Sequence, residues 1–321
     1  MGLRTKASST FALLSLFPLL LLTSCGDAGG SSVPVQARRF DAAFFDEIPL
    51  PHIAYAEPPA DPTGPARVIS LIPSMTETIF ALGLGEQLVG RSHWCDWPPE
   101  VRKLPDLGRR NAISKERIVD LRPDLVILFK SQGELARSLR RDFGLRILQP
   151  GTIGMEEALA GMVQVAAALG CPERGRKLEN HIRRHLDETR RTCASLPRPR
   201  VLMVLDRSSW WVPGRTSFVH TLIEIAGGIN VAAALDTDRP FPSTTLEQVM
   251  SWDPEVIIDL SVGSRREASL ADARRFWRGL SGIRAVKDGR VHLLSAGVLT
   301  RPGPRMGAVA ARLAEVIHDR P

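Results

Sequence analysis

Ile113-Ser-Lys-Glu-Arg-Ile-Val-Asp-Leu-Arg-Pro-Asp-Leu-Val-Ile-Leu128 and, 131 residues later, Thr244-Thr-Leu-Glu-Gln-Val-Met-Ser-Trp-Asp-Pro-Glu-Val-Ile-Ile-Asp259 decide the architecture. Each offers a hydroxyl residue to cap a helix, carries Glu116 or Glu247 in the first turn, is stopped by Pro123 or Pro254, and runs on into an apolar strand. One such unit in each half predicts an α/β fold of two lobes, and both lobes then face a common ligand or partner. Only Glu, Pro and one Ile are identical across the sixteen positions. Two unrelated αβ units are therefore the competing reading.

Working outward, a βαβ series with a mostly parallel sheet is predicted for residues 66–154. It comprises a strand over Arg67–Ile72, a helix over Met75–Leu82 and a strand at Leu88–Gly90. A loop runs from Ser92 to Asn111 before the helix from Ser114, and then come the strand Leu125–Phe129, a helix near Glu134–Asp142 and a strand at Arg146–Gln149. Residues 155–197 read as two connecting helices, Met155–Leu169 and Glu173 to about Ala194. The second is heavily charged, with Leu178, Ile182, Leu186 and Thr189 on one side. That pattern fits equally a strut between domains or a surface helix of one lobe. Residues 198–321 form the second series: strand Val201–Leu205, loop Asp206–Pro213, helix Phe218–Ala226, the repeated unit, helix Ala271–Leu280, strand Val291–Leu294 and helix Gly307–Ile317. The space between two such lobes is where a ligand is expected.

Residues 1–25 have the pattern of an export signal, with basic Arg4 and Lys6, an apolar run from Phe11 to Leu22, and the small-residue site Leu22-Thr-Ser-Cys25. That run is shorter than the roughly 20 residues a spanning helix needs. Residues 26–65, rich in Gly, Ser, Pro and Ala, read as a tether. Phe40, Phe44, Phe45 and Tyr55 are unusual for a flexible linker, so part of this arm is expected to lie against a lobe. The formal charge is +7, or +5 once Arg4 and Lys6 are removed with the leader. No nucleic-acid-binding pattern accompanies it, and the charge reads as solvated surface plus a ligand contact. Besides Cys25 the chain holds Cys95, Cys171 and Cys193. If one helix separates the last two, they lie roughly 30 Å apart and cannot be bridged.

Aromatic side chains supply the candidate site. The loop Arg91-Ser-His-Trp-Cys-Asp-Trp-Pro-Pro99 carries Trp94 and Trp97, and the corresponding loop of the second lobe carries Trp210 and Trp211. Phe129 and Phe241 lie at other loop edges. Six aromatics over two lobes suit a large, partly apolar ligand, although each also suits its own lobe's core. Arg109-Arg110 and Arg301-Pro-Gly-Pro-Arg305 are placed to grip carboxylate or phosphate groups, or else are solvated. His93 with Cys95, or His181 with His185, supplies only two metal ligands, fewer than a metal site needs. There is no G-x-S-x-G elbow, P-loop or G-x-G-x-x-G after a strand, so no motif argues for catalysis. In the first helical turn, Glu116 and Glu247 complement the helix dipole, and together they form two acidic knobs that a two-fold partner could read.

Taken in order, Arg67-Val-Ile-Ser-Leu-Ile-Pro-Ser-Met-Thr-Glu-Thr-Ile-Phe-Ala-Leu-Gly-Leu-Gly85, Cys95-Asp-Trp-Pro-Pro99 and Pro123-Asp-Leu-Val126 resemble the periplasmic binding proteins that serve ABC importers of cobalamin, iron-siderophores and haem. The Asp-Trp-Pro-Pro loop is most similar to the cobalamin-binding branch. The resemblance, over about residues 66–318, implies two Rossmann-like lobes with mostly parallel sheets, joined by a long rigid helix at Glu173–Ala194 with little hinge closure. It implies a monomer that is not an enzyme, needs no cofactor, and carries cobalamin or a related corrinoid as transported ligand. Trp94, Phe129 and Phe241 would face that ligand, and Trp97, Trp210 and Trp211 join them as ligand-binding candidates from the loop reading. Arg110, where such a binder can place an aromatic, leaves room for haem or an anionic siderophore. Glu116 and Glu247 would dock on arginines of a dimeric permease that works with its ATPase. Leu-Thr-Ser-Cys25 resembles a lipobox, which implies lipidation of Cys25 and an anchor in the cell membrane or outer membrane, facing the periplasm or exterior. A metal-dependent enzyme on the same lobes, using His93 and Cys95, is the alternative of a different class.

Overall fold

The computed structural model describes residues 45, 48–51, 64–262, 270–295 and 297–319. The predicted leader, Cys25 and most of the predicted tether lie outside them. The first lobe runs β1 (Val68–Ser70), α1 (Pro73–Ala81), β2 (Leu88–Arg91), β3 (Gly108–Arg109), β4 (Ala112–Ile113), α2 (Lys115–Asp120), β5 (Leu125–Ile127), α3 (Gly133–Phe143) and β6 (Ile147–Leu148). Four of its strands form a parallel sheet in the order β2-β1-β5-β6. The apolar runs of β1 and β5 are buried throughout because both faces of the sheet are covered. Val68, Leu125 and Ile127 face one core, while Ile69, Val126 and Leu128 face another.

Two helices follow, α4 (Met155–Ala168) and α5 (Pro172–Cys193). The predicted stripe of Leu178, Ile182, Leu186 and Thr189 is buried. Its three aliphatic members belong to a hydrophobic core that also holds Val68 and Ile79 of the first lobe and Val201, Met203, Leu222 and Leu313 of the second. One core thus runs through the connecting helices from sheet to sheet, which supports the strut reading of α5 over that of a one-lobe surface helix. At its start, Arg174 donates 2.8 Å to the Leu82 carbonyl, occupying an acceptor at the end of α1.

The second lobe contains β7 (Arg200–Val204), α6 (Phe218–Ile225), β8 (Ile229–Asn230), α7 (Leu246–Trp252), β9 (Val256–Val262), α8 (Leu270–Arg278), α9 (Arg284–Lys287), β10 (Val291–Ser295) and α10 (Met306–His318). Its strands form a separate parallel sheet in the order β10-β9-β7-β8. Val201, Met203, Ile258 and Leu260 face the shared core, and Leu202, Val204 and Ile257 face a private one with Val249, Trp252 and Trp277. None of the described helices is long and apolar enough to cross a membrane.

The repeat is deeper than sixteen positions. Ser114 caps α2 by accepting from the Arg117 N–H at 3.3 Å, and Thr245 caps α7 by accepting from Gln248 at 3.2 Å. Both helices end in a left-handed residue directly before the proline, Arg122 (φ 45°) and Asp253 (φ 41°). Arg67 donates to the Leu121 carbonyl, and Arg200 donates to that of Trp252. The main-chain N–H of Arg67 meets the Asp124 carboxylate and that of Arg200 the Glu255 carboxylate, each at 2.9 Å. Strand start and helix end are tied identically in both lobes.

Short elements are where the structure departs from expectation. Residues 108–113, predicted as part of a loop, form the hairpin β3-β4, whose two-residue strands are too short to show a period. It turns at Arg110-Asn111, and its first strand opens on Gly108 (φ +110°), where an added Cβ would sit 2.2 Å from the Ala112 carbonyl oxygen. Strand β8 and helix α9 were not anticipated for the same reason of length. Cys95, Cys171 and Cys193 are free and buried, as the helix-length argument requires of the last two. In the arm, Phe45 and Ile48 are buried in the shared core, so part of it does pack.

Candidate ligand site between the lobes

In a parallel sheet the loops leaving the C-terminal ends of the strands gather at one edge. At the first lobe's edge these are residues 92–98 after β2 and Phe129 after β5. At the second they are 206–213 after β7, 235–245 after β8 and 297–305 after β10. The two edges face each other, because Arg301 donates to Glu77 of α1 at 3.2 Å, to Asp96 at 2.6 Å and to the Trp94 carbonyl at 3.3 Å. Arg305 adds hydrogen bonds of 2.9 and 2.6 Å to the two Glu77 oxygens. Burial alone would loosen the Arg301 proton. The Asp96 bond, with the charges of Asp96 and Glu77, outweighs it and holds the guanidinium more firmly cationic than usual.

The first wall is a row of aromatics covered by guanidinium groups. Arg109 lies 5.7 Å from the Trp94 ring centre and Arg110 4.3 Å from that of Phe129. Arg110 also donates 2.6 Å to the Ser131 hydroxyl. Gln132 fixes the pair by donating to the Arg110 carbonyl and accepting from the Phe129 N–H. Neither arginine has a carboxylate partner among the described residues, which leaves this rim cationic. His93 meets the Trp94 ring edge-on at 5.0 Å, and its Nδ1 lies 2.9 Å from Asp106. Burial would raise the Asp106 carboxyl, yet the Gly108 N–H, His93 and Arg91 together hold it below the usual carboxylate range.

The second wall is made by two loops zipped together. Leu205 donates to the Trp211 carbonyl at 2.8 Å, Val212 to Pro242 at 3.1 Å and Thr244 to Trp210 at 3.1 Å. This brings Trp211, which is 50% exposed, next to the loop that carries Phe241, itself partly buried against the shared core. Trp210 goes elsewhere: its ring packs against Phe276 and Trp277 at 5.9 and 6.0 Å. Trp97 lies at the junction, its ring centre 5.1 Å from the Arg305 guanidinium. The structure therefore gathers Trp94, Arg110 and Phe129 in one lobe and Trp211 and Phe241 in the other.

His93 and Cys95 do not converge. The Cys95 thiol is buried against the Ser92 hydroxyl (3.1 Å) and the Ser70 carbonyl (3.6 Å), and desolvation pushes its pKa up. On α5 the His181 and His185 rings are 4.5 Å apart. No group of three metal-ligating side chains occurs among the described residues. Glu116 and Glu247 occupy the second position of α2 and α7, both exposed. In each, the residue's own backbone N–H, then the cap hydroxyl of Ser114 or Thr245, holds the carboxyl below its ordinary value. The junction of Glu77, Asp96, Arg301 and Arg305 was not anticipated as a unit. Its signal was a lone acid, Glu77, inside the apolar run of α1. Arg301 and Arg305, read as free to grip a ligand, are already paired.

Comparison with known proteins accords with this geometry. The periplasmic binding protein family matches residues 68–296. A vitamin B12-binding protein of Vibrio cholerae is 29% identical over 248 residues, covering 77% of this chain and 87% of the relative. One from Photorhabdus laumondii is 29% identical over 258 residues, covering 79% and 89%. Among solved structures, a periplasmic haem-binding protein from Roseiflexus sp. in apo form aligns with a TM-score of 0.70 at 28% identity, over 80% of this chain and 99% of that one. The periplasmic vitamin B12-binding protein of Vibrio cholerae aligns with a TM-score of 0.65 at 27% identity, over 80% and 99%. With two parallel-sheet lobes facing across aromatic loops, and a match over most of its folded length, this chain belongs to the periplasmic binding protein family.

Proposed function

We propose that this chain is the substrate-binding lipoprotein of an ABC importer, capturing cobalamin or a related corrinoid between its lobes and delivering it to a dimeric permease driven by its ATPase. What supports the reading is that both lobes carry aromatics on loops at their strand ends, Trp94 and Phe129 in the first and Trp211 and Phe241 in the second, and that Arg301 joins those two edges. A corrin is broad and flat, and rings presented from both sides cover more of it than either lobe could alone. The relatives that bind vitamin B12 support the same cargo. Trp97 and Trp210 serve behind the walls, one at the junction and one against α8. Glu116 and Glu247 are the docking carboxylates, Cys25 the lipidated residue and α5 a stiff spacer that limits lobe rotation. Titration calorimetry with cyanocobalamin and dicyanocobinamide tests the cargo: one-to-one binding at micromolar or tighter affinity is expected, and no heat from either ligand would refute it.

A second cargo is favoured by one observation. Arg109 and Arg110 cap the first wall with two cations that have no carboxylate partner among the described residues. Such a rim suits an acidic ligand, haem with its propionates or a ferric siderophore, better than a neutral amide-fringed corrin. Tighter binding of haem than of cyanocobalamin, lost in Arg110→Ala, would move the assignment there.

A further inference from the structure

The loop that presents Trp94 belongs to the first lobe by sequence, yet part of what fixes it comes from the second. Arg301 donates to the Trp94 carbonyl and to the carboxylate of Asp96, two residues along the same loop. Its guanidinium also reaches Glu77, where Arg305 binds both oxygens. Arg305 further covers the Trp97 ring and donates 3.2 Å to the Ile48 carbonyl of the N-terminal arm. Glu77 and Arg305 are 1% and 4% exposed, so water screens this cluster little.

The distribution of charge in the cluster is what gives it a role. Both acids, Glu77 and Asp96, lie in the first lobe, and both arginines, Arg301 and Arg305, lie in the second. Every ion pair therefore crosses the junction, and parting the lobes would leave two like charges on each face. Within the first lobe, the loop is held at its base, where His93 N–H donates to Gly108, Cys95 N–H to Ser92, and Arg102 to the Asp96 carbonyl. The Trp94 carbonyl and the Asp96 side chain look to the other lobe.

We propose that Arg301, backed by Arg305, is a positioning residue that locks the Trp94 wall in its ligand-holding conformation only while the lobes are together. Parting the lobes would break the Arg301 bonds to Asp96 and Trp94 and free the wall, so that ligand retention depends on this junction. This rests on the ligand reading above for its purpose, though the loop's dependence on Arg301 does not.

The experiment uses the mature chain carrying 5-fluorotryptophan at its six tryptophans, with fluorine resonances assigned by single Trp→Phe changes. In Asp96→Asn, which spares the more buried Glu77–Arg305 pair, the Trp94 resonance should shift or broaden. Those of Trp252 and Trp277, in the second lobe's private core, should stay in place. Cyanocobalamin, or haem if that is the cargo, should dissociate about tenfold faster from the variant, with the association rate little changed. Arg301→Lys should fall between wild type and Arg301→Gln in both readouts, because one ammonium cannot serve Glu77, Asp96 and the Trp94 carbonyl together. An unmoved Trp94 resonance in Asp96→Asn and Arg301→Gln overturns the proposal, whatever happens to affinity. Equal movement of all tryptophan signals overturns it too, since that would mean general loosening. If the wild type binds none of the ligands, the transport reading fails while the fluorine result still decides this one.

Discussion

Arg67 in the first lobe and Arg200 in the second make matching bonds to the end of a helix, to an acidic residue after a proline and to the start of a strand, yet the loops only a few residues beyond share almost nothing. In the first lobe the rim carries a hairpin, two arginines over aromatic rings and a buried acid in α1. In the second the rim is two zipped loops, and the buried face of α6 is apolar except at its Ser217 cap. The framework repeats because both lobes solve one problem, turning a helix back onto a parallel strand. The rims lie outside that shared problem, and they diverge.

The largest effect expected from testing this comparison is on transport. Reversing both Glu116 and Glu247 to Arg should reduce uptake by more than about tenfold, each single change should remove a similar share, and ligand affinity should not move. Unequal single effects would break the equivalence of α2 and α7, and weakened ligand binding would place these carboxylates in the cleft.

Next in size is Glu77, which has no counterpart in the second lobe. Glu77→Gln leaves Arg301 and Arg305 underneutralised in a buried place, and a loss of roughly 3–5 kcal/mol is expected. In thermal melts this is a fall of roughly 6–20 °C for a protein of this size.

Acid should strike the lobes differently as well. On β10, His292 is held neutral by burial, with the field of Arg290 adding to this and that of Asp319 opposing it, so that its pKa falls from 6.5 to about 4. A depressed folded value means the contribution is complete above pH 6.5 and drains away as pH falls toward 4, up to about 3 kcal/mol in all. Urea melts at stepped pH should show this loss, and His292→Gln should flatten the part between pH 6.5 and 5. His181 and His220, lowered by burial in the same sense, should retain their smaller share.

The smallest effect sharpens the comparison most. Arg67→Ala and Arg200→Ala should each cost about 1–2 kcal/mol, being charged donors to backbone carbonyls in a partly exposed place. The costs should add, since the two residues share no partner. A large difference between them would mean that the matching bonds do unequal work.

Much of the framework was legible because it repeats locally. Cap, acid, proline and apolar strand lie within sixteen residues, and the stripe on α5 keeps one period over about three turns. The Arg67 and Arg200 ties were also within reach, since Asp124 and Glu255 follow the prolines at the same place. The rim was less legible. Trp210 and Trp211 are neighbours in sequence, and nothing in their pattern told that one ring would pack on Phe276 and the other stand half exposed. Arg301 looked available to a ligand because its acids lie more than 200 positions away, and pairings of that range leave no periodic trace.

Burial of Phe45 and Ile48 ahead of the family's own boundary at Val68 bears on how this protein is handled as well as on how it is built. A gene trimmed to begin at residue 68, where the family match begins, would empty two sockets in the core common to both halves and strip the Ile48 carbonyl from Arg305. Such a shortened product would melt early and exchange its interior amides quickly, and a weak affinity measured on it would reflect the missing plug.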